Sequence, residues 1–330
     1  MTLPSVQDQE VSGKRVLVRA DLDVPERADS RLEALVPTLK LLSQKGAEII
    51  LIGHRGRPEG KVVEELKLAS VEERLRKIVG GVDFKVLENL RFDPGEEAND
   101  PEYAKTLAQN GDFYVNEAFA NSHRAHASIV TLPKLLPHSA GLRFVQEVEN
   151  LSRVLESPKK PTVAIVSGIK QDKVEMAKAL SQKVDRVLVG GRLPEFFGDN
   201  TDSVRMQNGE KLMIANLIMD KEDITLNSID RFKDEIAKAG TIILAGVLGK
   251  YEDAGHIQGT KEIFQAVADS SAYKIAGGGD TEAALTMFNL IDKFDWVSVG
   301  GGAMLEFLAS GTLPGIEALK KRANVNIERR

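Results

Sequence analysis

RVLVRADLD (Arg15–Asp23) is a short branched apolar run that ends in charge. Such a run is too short for a helix, and its unbroken apolar character is that of a strand buried on both faces. Runs of the same form recur along the chain. EIILIGHRGRP (Glu48–Pro58), FKVLENLRF (Phe84–Phe92) and FYVNEAFANSHRAH (Phe113–His126) follow in the first half. TVAIVSG (Thr162–Gly168), RVLVGG (Arg186–Gly191), TIILAG (Thr241–Gly246), YKIAGGGD (Tyr273–Asp280) and WVSVGGG (Trp296–Gly302) occupy the second. Amphipathic stretches such as LEALVPTLKLLSQKG, ASVEERLRKIVG and GTKEIFQAVADS lie between them. This alternation predicts an α/β protein built on parallel sheets with crossover helices. No fixed-period repeat and no low-complexity segment accompanies it.

A length of 330 residues suggests two domains, and 42% hydrophobic with 28% charged residues is ordinary for a chain that builds real cores. A formal net charge of −5 argues against nonspecific nucleic-acid binding. No apolar run approaches the roughly 18 residues of a membrane span. There are 0 cysteines, which excludes disulfides and thiolate chemistry. The opening MTLPSVQDQEVSGKR lacks the basic and then apolar pattern of a secretory leader, and the expectation is a cytoplasmic protein with no nucleic-acid or membrane partner.

The two halves end their strands in different chemistry. The first half runs into Arg19, Asp21 and Asp23, then His54 and Arg57, then Arg91, then Asn116, His123, Arg124 and His126; the second runs into glycine each time. Ligands of open parallel sheets sit outside the carboxyl ends of the strands. The first half therefore reads as an anion cage. The second reads as backbone laid against a flat or phosphate-bearing ligand, although each glycine pair taken alone is equally a tight strand-to-helix turn. His123 and His126 could pair on a metal, but no third ligand has suitable spacing. Glu147 to Glu156 reads as an exposed helix broken by Pro158 and Pro161, a natural hinge. The expected fold is thus two Rossmann-like domains, each a parallel sheet flanked by helices, joined by a hinge helix. The expected domains are 1–150 and 151–314, with a tail of about 315–330 packing back on the first.

RADLDVP at Arg19, SRLEALVPTLKLL at Ser30, GHRGRP at Gly53, LENLRF at Leu87 and YVNEAFANSHRAHAS at Tyr114 resemble, in order and spacing, the substrate-domain motifs of phosphoglycerate kinase. SGIKQDK at Ser167, YEDAGHIQGT at Tyr251, AGGGDTEAA at Ala276 and VGGGAMLEFLASGTLPGIEAL at Val299 continue the resemblance. It weakens between about residues 192 and 245, where the chain is also shorter than is usual for the family. The resemblance implies reversible phosphoryl transfer between 1,3-bisphosphoglycerate/ADP and 3-phosphoglycerate/ATP with Mg2+, by a monomer. It places Asp21, Asp23, His54, Arg57, Arg124 and Lys160 on the phosphoglycerate, with Arg31 on the transferring phosphoryl group. It places Lys170, Lys173, Gly190, Gly191, Arg192, Glu252, Gly278, Gly279, Asp280 and Thr281 on the nucleotide, Asp280 near the metal, and Lys170, Gly278 and Gly301 at the catalytic centre. Arg31 read by itself is a solvated residue at a helix start, and Asp280 and Glu252 are acids that a helix N-terminus favours anyway.

Several positions depart from the family pattern. Asp23 stands for an asparagine, Lys160 for an arginine, Ala245 and Val247 for the asparagine and proline of an NGP turn, and Arg192 for a glycine. SGIKQDK is one residue short between its lysines, and TLNSID at Thr225 reads as a loop that has lost its lysine. These changes predict weakened nucleotide binding with relaxed base preference, Arg192 being placed to reach a phosphate. A non-catalytic phospholigand-binding protein on the same fold is the alternative. A nicotinamide oxidoreductase would need G-x-G-x-x-G, which GGRLPE and GGGAML lack.

Overall fold

The computed structural model describes residues 2–26, 29–198, 205–207 and 211–320, and among these the chain forms two compact units. The first runs to Glu149 and takes up the chain again from Thr312; the second is Asn150–Gly311.

The first unit holds a parallel sheet of β1 (Arg15–Arg19), β2 (Glu48–Ile52), β3 (Lys85–Val86), β4 (Phe113–Asn116) and β5 (His138–Ala140), in the order β3-β2-β1-β4-β5. Its helices are α1 (Ser30–Gln44), α2 (Ala69–Val79), α3 (Pro94–Glu97), α4 (Pro101–Ala108) and α5 (Leu142–Glu156), which crosses into the second unit. α1 presents Leu32, Leu35, Leu39 and Leu42 on one buried face, the spacing of a helix laid on a sheet. The chain leaves β1 toward β2 and β3 on one side and returns to β4 and β5 on the other. The order therefore reverses between β1 and β4, the place where such sheets open a crevice.

β3 is far shorter than the run from Phe84 to Phe92 predicts. Side chains compete with the ladder there. The Glu88 carboxylate accepts from the Leu68 and Asn89 amides, and Asn89 donates to the Arg55 and Leu66 carbonyls. β4 stops at Asn116 for the same reason, because its side chain accepts from the Ala118 amide. β5 has no signal in the sequence pattern.

The second unit holds β6 (Thr162–Gly168), β7 (Arg186–Gly191), β8 (Arg205–Gln207), β9 (Leu212–Ile214), β10 (Thr241–Ala245), β11 (Tyr273–Gly277) and β12 (Trp296–Ser298). Their order is β12-β11-β10-β6-β7-β9-β8, parallel except for β8 on β9. α6 (Asp172–Leu180), α7 (Leu226–Lys238), α8 (Gln258–Asp269), α9 (Gly279–Met287) and α10 (Gly301–Ser310) complete it. Here the order reverses between β6 and β10. TLNSID is not a loop: the Thr225 hydroxyl accepts from the Ser228 amide and caps α7, and Ile229, Phe232 and Ile236 bury its apolar face. α11 (Pro314–Lys320) belongs to the first unit, where the Gly315 amide donates to the Ser122 carbonyl at 2.9 Å. The expected tail beyond Lys320 lies outside the described residues.

The helix expected from Glu147 to Glu156 starts earlier, at Leu142, and is not exposed: Phe144, Val148 and Leu151 are buried. Its start is set by a buried carboxylate. Glu117 accepts from the Arg143 and Phe144 amides at 3.0 and 2.9 Å and from the Thr38 hydroxyl. These donors stabilise the anion, but burial outweighs them and raises this carboxyl to about 7 from 4.5. The folded chain thus holds a proton that the unfolded chain has released, a contribution complete below about pH 4.5 and lost as pH rises through about 7. Urea titrations from pH 4.5 to 8 should show the Glu117→Gln variant gaining stability relative to the parent as pH rises. Parallel profiles would show that Glu117 is already ionised throughout.

Candidate functional site

Two clusters lie at the two reversals of strand order, each at the carboxyl ends of its own sheet. In the first unit the last residue of β1 is Arg19, with no exposed surface. Its guanidinium donates to the Ser128 hydroxyl at 2.9 Å, to the Ala20 carbonyl, and to Nδ1 of His54 at 2.9 Å. Since arginine only donates, Nδ1 of His54 must accept and its proton sits on Nε2, 3.8 Å from the Asp23 carboxylate. Burial and the charges of Arg19, Arg91 and Arg124 hold His54 far below the usual histidine range, so it is neutral. Burial and the same arginines bring His126 down to about 4. The countercharge is Glu96, fully buried, which takes the Ser128 hydroxyl at 2.5 Å and the Ser128 amide at 2.9 Å.

Around this scaffold stand the residues expected to touch the ligand. Arg31, in the first turn of α1, donates to the Asp23 carbonyl at 3.0 Å and lies 3.2 Å from the Asp21 carboxylate. Asp21 is buried, and neither of its side-chain oxygens accepts a hydrogen bond. Such an acceptor fits a ligand hydroxyl. The Asp23 side chain takes the Gly56 amide at 2.9 Å, so part of its extra charge is held by backbone. Arg57 is exposed and Arg124 half-buried beside His123. Arg91 donates to the Gly56 carbonyl at 2.7 Å and meets Glu97 at 3.2 Å, while its Nη2 is buried without a hydrogen bond. Among the described residues no group of three potential metal ligands is present. Arg91 was expected only as one of the anion-cage residues and Ser128 only as the end of a motif, while Glu96 had no motif to mark it.

In the second unit a cavity of about 450 Å3 opens where β6 and β10 end. Gly168, Gly191, Gly246 and Gly249 are among its lining residues, and neighbouring glycines are tightly packed. A Cβ on Gly246, which has φ of +103°, would collide with the Ser167 carbonyl, and one on Gly301 would lie 2.7 Å from the Gly278 Cα. The Gly246 amide donates to the Thr281 hydroxyl at 2.8 Å, which ties β10 to α9. Asp280 stands in the first turn of α9, with Gly278 as the cap and Gly279 as the first residue. Gly168 and Gly191 are register partners of β6 and β7, and Gly190 lies against Leu248. Lys173 donates to the Ser167 carbonyl at 2.6 Å; burial lowers its affinity for a proton and Asp280 restores part of it. Lys170 is exposed on the wall, and Glu252 lines the loop after β10. The shortened segment thus separates the two lysines, one committed to the backbone and one free to meet a ligand.

Two further predicted residues are held in ion pairs. Lys160 precedes β6, at the edge of the sheet opposite this cavity, where it is exposed and pairs with Asp185 at 3.3 Å. Arg192 does not stand ready for a phosphate. Its Nε donates to Glu195 at 2.7 Å and its Nη1 lies 3.7 Å from Glu222, so two carboxylates offset its charge.

The family model for phosphoglycerate kinase matches residues 6–86, 81–222 and 200–311. The phosphoglycerate kinase of Dictyoglomus turgidum is 35% identical, covering 97% of this chain and 99% of that protein. This chain belongs to the phosphoglycerate kinase family. The phosphoglycerate kinase of Coprothermobacter proteolyticus is likewise 35% identical over 97% of the chain. The solved phosphoglycerate kinase of Coxiella burnetii has a TM-score of 0.80 at 32% identity, covering 97% of this chain and 99% of that one. That of Pyrococcus horikoshii has the same fold, with a TM-score of 0.81 at 23% identity over 96% and 98%. The alignment to the Dictyoglomus protein spans 393 positions, more than the 330 residues here, so that relative carries segments this chain lacks. The matched stretches overlap at 81–86 and at 200–222.

The crowding at Gly246 gives a direct test. Gly246→Ala meets both an unfavourable φ and a carbonyl oxygen, and should destabilise the second unit by roughly 3 kcal/mol or more. Tryptophan fluorescence from Trp296, the chain's 1 tryptophan, should report the lowered urea midpoint. An unchanged midpoint would mean the strand ends are not packed as described.

Proposed function

We infer that this chain catalyses the family reaction, reversible phosphoryl transfer between 1,3-bisphosphoglycerate and a nucleoside diphosphate, ADP being the family's partner. The observation that carries the reading is the buried Arg19–His54–Ser128–Glu96 scaffold at the carboxyl ends of the strands, on a chain with full-length likeness to phosphoglycerate kinases. In this reading the first unit binds 3-phosphoglycerate. Arg57 and Arg124 take phosphate or carboxylate oxygens two at a time, the neutral His54 offers its Nε2 proton, and Asp21 accepts the glycerate hydroxyl.

The second unit holds the nucleotide polyphosphate at the start of α9, where amide groups and the helix dipole favour anions. A magnesium ion shared with nucleotide phosphates needs only one or two protein carboxylates, and Asp280 in the cavity wall fits that need. When bound, the ion would offset phosphate charge. The transfer itself requires no proton and no covalent enzyme intermediate. A carboxylate oxygen of 3-phosphoglycerate forms a bond to the terminal phosphorus as the bond to the nucleoside diphosphate breaks. Positioning and charge stabilisation do the rest. Arg31, held by the Asp23 carbonyl and the Asp21 carboxylate, is the group that meets the charge on the moving phosphoryl.

A coupled assay with 3-phosphoglycerate, magnesium and nucleoside triphosphates tests the reading, and absence of transfer with every nucleotide would overturn it. Arg31→Ala should lower kcat by a hundredfold or more, of the order of about 3 kcal/mol, with substrate affinity within a few-fold. Arg57→Ala and Arg124→Ala should instead raise the dissociation constant for 3-phosphoglycerate about tenfold each. Equal affinity in both would remove them from the site.

A further inference from the structure

The cavity of the second unit has two unlike ends. Crossing the sheet in the order β11-β10-β6-β7, its walls carry Asp280, then Gly246 to Glu252, then Gly168 to Lys173, then Arg192, with Glu222 joined to both Lys250 of the β10 loop and Arg192. Neighbouring strands stand about 4.8 Å apart, so Asp280 and Arg192 mark ends separated by roughly 14 Å. The polyphosphate end is defined by the start of α9 and by the Lys173 ammonium, which lies on the β10 side of β6, against Gly246. The opposite end is therefore left for the base.

That end offers a flat face and two directional groups. Ile169, 70% exposed, lines the cavity and can cover a ring. Arg192 is oriented by Glu195 through its Nε, and Lys221 holds the same Glu195 at 3.0 Å. Its charge is thereby offset, which makes it a poor phosphate site but leaves its terminal nitrogens free to donate. Glu222 lies 3.7 Å from Arg192, beyond hydrogen-bond range, and its backbone is fixed by the Lys250 amide, which donates to its carbonyl at 2.9 Å. A donor-only fork thus stands beside an acceptor-only fork.

We propose that Arg192 and Glu222 read the base edge of the nucleotide and select guanine over adenine. The proposal rests on the reading of this cavity as the nucleotide site. Guanine presents O6 and N7 as adjacent acceptors, a bidentate match for arginine, and N1–H with N2–H as adjacent donors, a bidentate match for a carboxylate. Adenine offers one donor group at N6 and single acceptors at N1 and N7. Its N1 lone pair would face a carboxylate where guanine has a proton. One bidentate pair is worth about 1–3 kcal/mol of discrimination, or roughly ten- to a hundredfold in affinity.

The test is calorimetric titration of the full chain and of Glu222→Gln with the magnesium complexes of GDP, IDP, ADP and pyrophosphate. Glu222 is part-exposed and outside the core, and thermal melting of the variant checks its folding. The expected result is GDP binding at least tenfold tighter than ADP, with IDP between them because it lacks the N2 donor. Glu222→Gln should narrow or reverse that order, since an amide can pair with adenine, while pyrophosphate binding stays the same. ADP binding as tightly as GDP, or an order unchanged in Glu222→Gln, would overturn the base assignment while leaving the nucleotide site standing. Failure of pyrophosphate and of every nucleotide to bind would instead overturn the site, and this proposal with it.

Discussion

A guanidinium buried at the end of a central strand is the constraint on which the first unit turns. Arg19 has no exposed surface, and an unpaired charge there would cost several kcal/mol. It is tolerated because Ser128, the Ala20 carbonyl and His54 accept its protons, while Glu96 supplies the opposite charge through Ser128. Each partner arrives from a different strand end or loop, so satisfying one arginine brings the carboxyl ends of β1, β2 and β4 to a fixed geometry. The arrangement also decides protonation. With Nδ1 accepting from Arg19, His54 is a neutral donor at Nε2, and the surrounding arginines keep it so. Removal of Arg19 would leave Glu96 buried without its countercharge, and breaking such a pair typically costs about 3–5 kcal/mol.

The strand ends of the second unit are built by the opposite means. Its strands end in residues without side chains, and the space saved lets the turns after β6, β7 and β10 approach one another to backbone distance. Gly246 sits against Ser167, and Gly301 against Gly278. A polyphosphate held there is bound by amides and a helix start more than by side chains. The two units therefore differ in what mutation can do to them. The first fails when a charge loses its partner, the second when a methyl group is added to its floor.

Much of this was readable in the sequence. Unbroken apolar runs ending in arginine or in glycine declare buried parallel strands and two kinds of site, because both properties are local. What was not readable depends on partners far along the chain. Glu96 looks like any acid in a helix first turn, yet its role comes from Ser128, 32 residues away. Arg192 looks like a phosphate ligand until Glu195 and Glu222 are seen to offset it. TLNSID resembled a damaged loop because family comparison emphasised the lost lysine, whereas the threonine cap and the Ile229, Phe232, Ile236 spacing make it a helix start. β3 and β4 were drawn too long since polar side chains that end a ladder, such as Asn89 and Asn116, carry no strong signal of their own.

The departures from the family pattern also fall where physics makes them least costly. The start of α9 is bare backbone, Gly278 as its cap and Gly279 as its first residue, a geometry that survives changes of side chain elsewhere so long as the glycines remain. Arg192 and Glu222 come instead from the segments that follow β7 and β9. Changes there leave the strand order and the start of α9 in place. The wall of the cavity can therefore change at one end while the start of α9 stays as it is. The Arg192–Glu195–Lys221 ion pairs show how: charges that would have repelled or misdirected a ligand are tied to one another, leaving directional donors rather than free cations at the cavity wall.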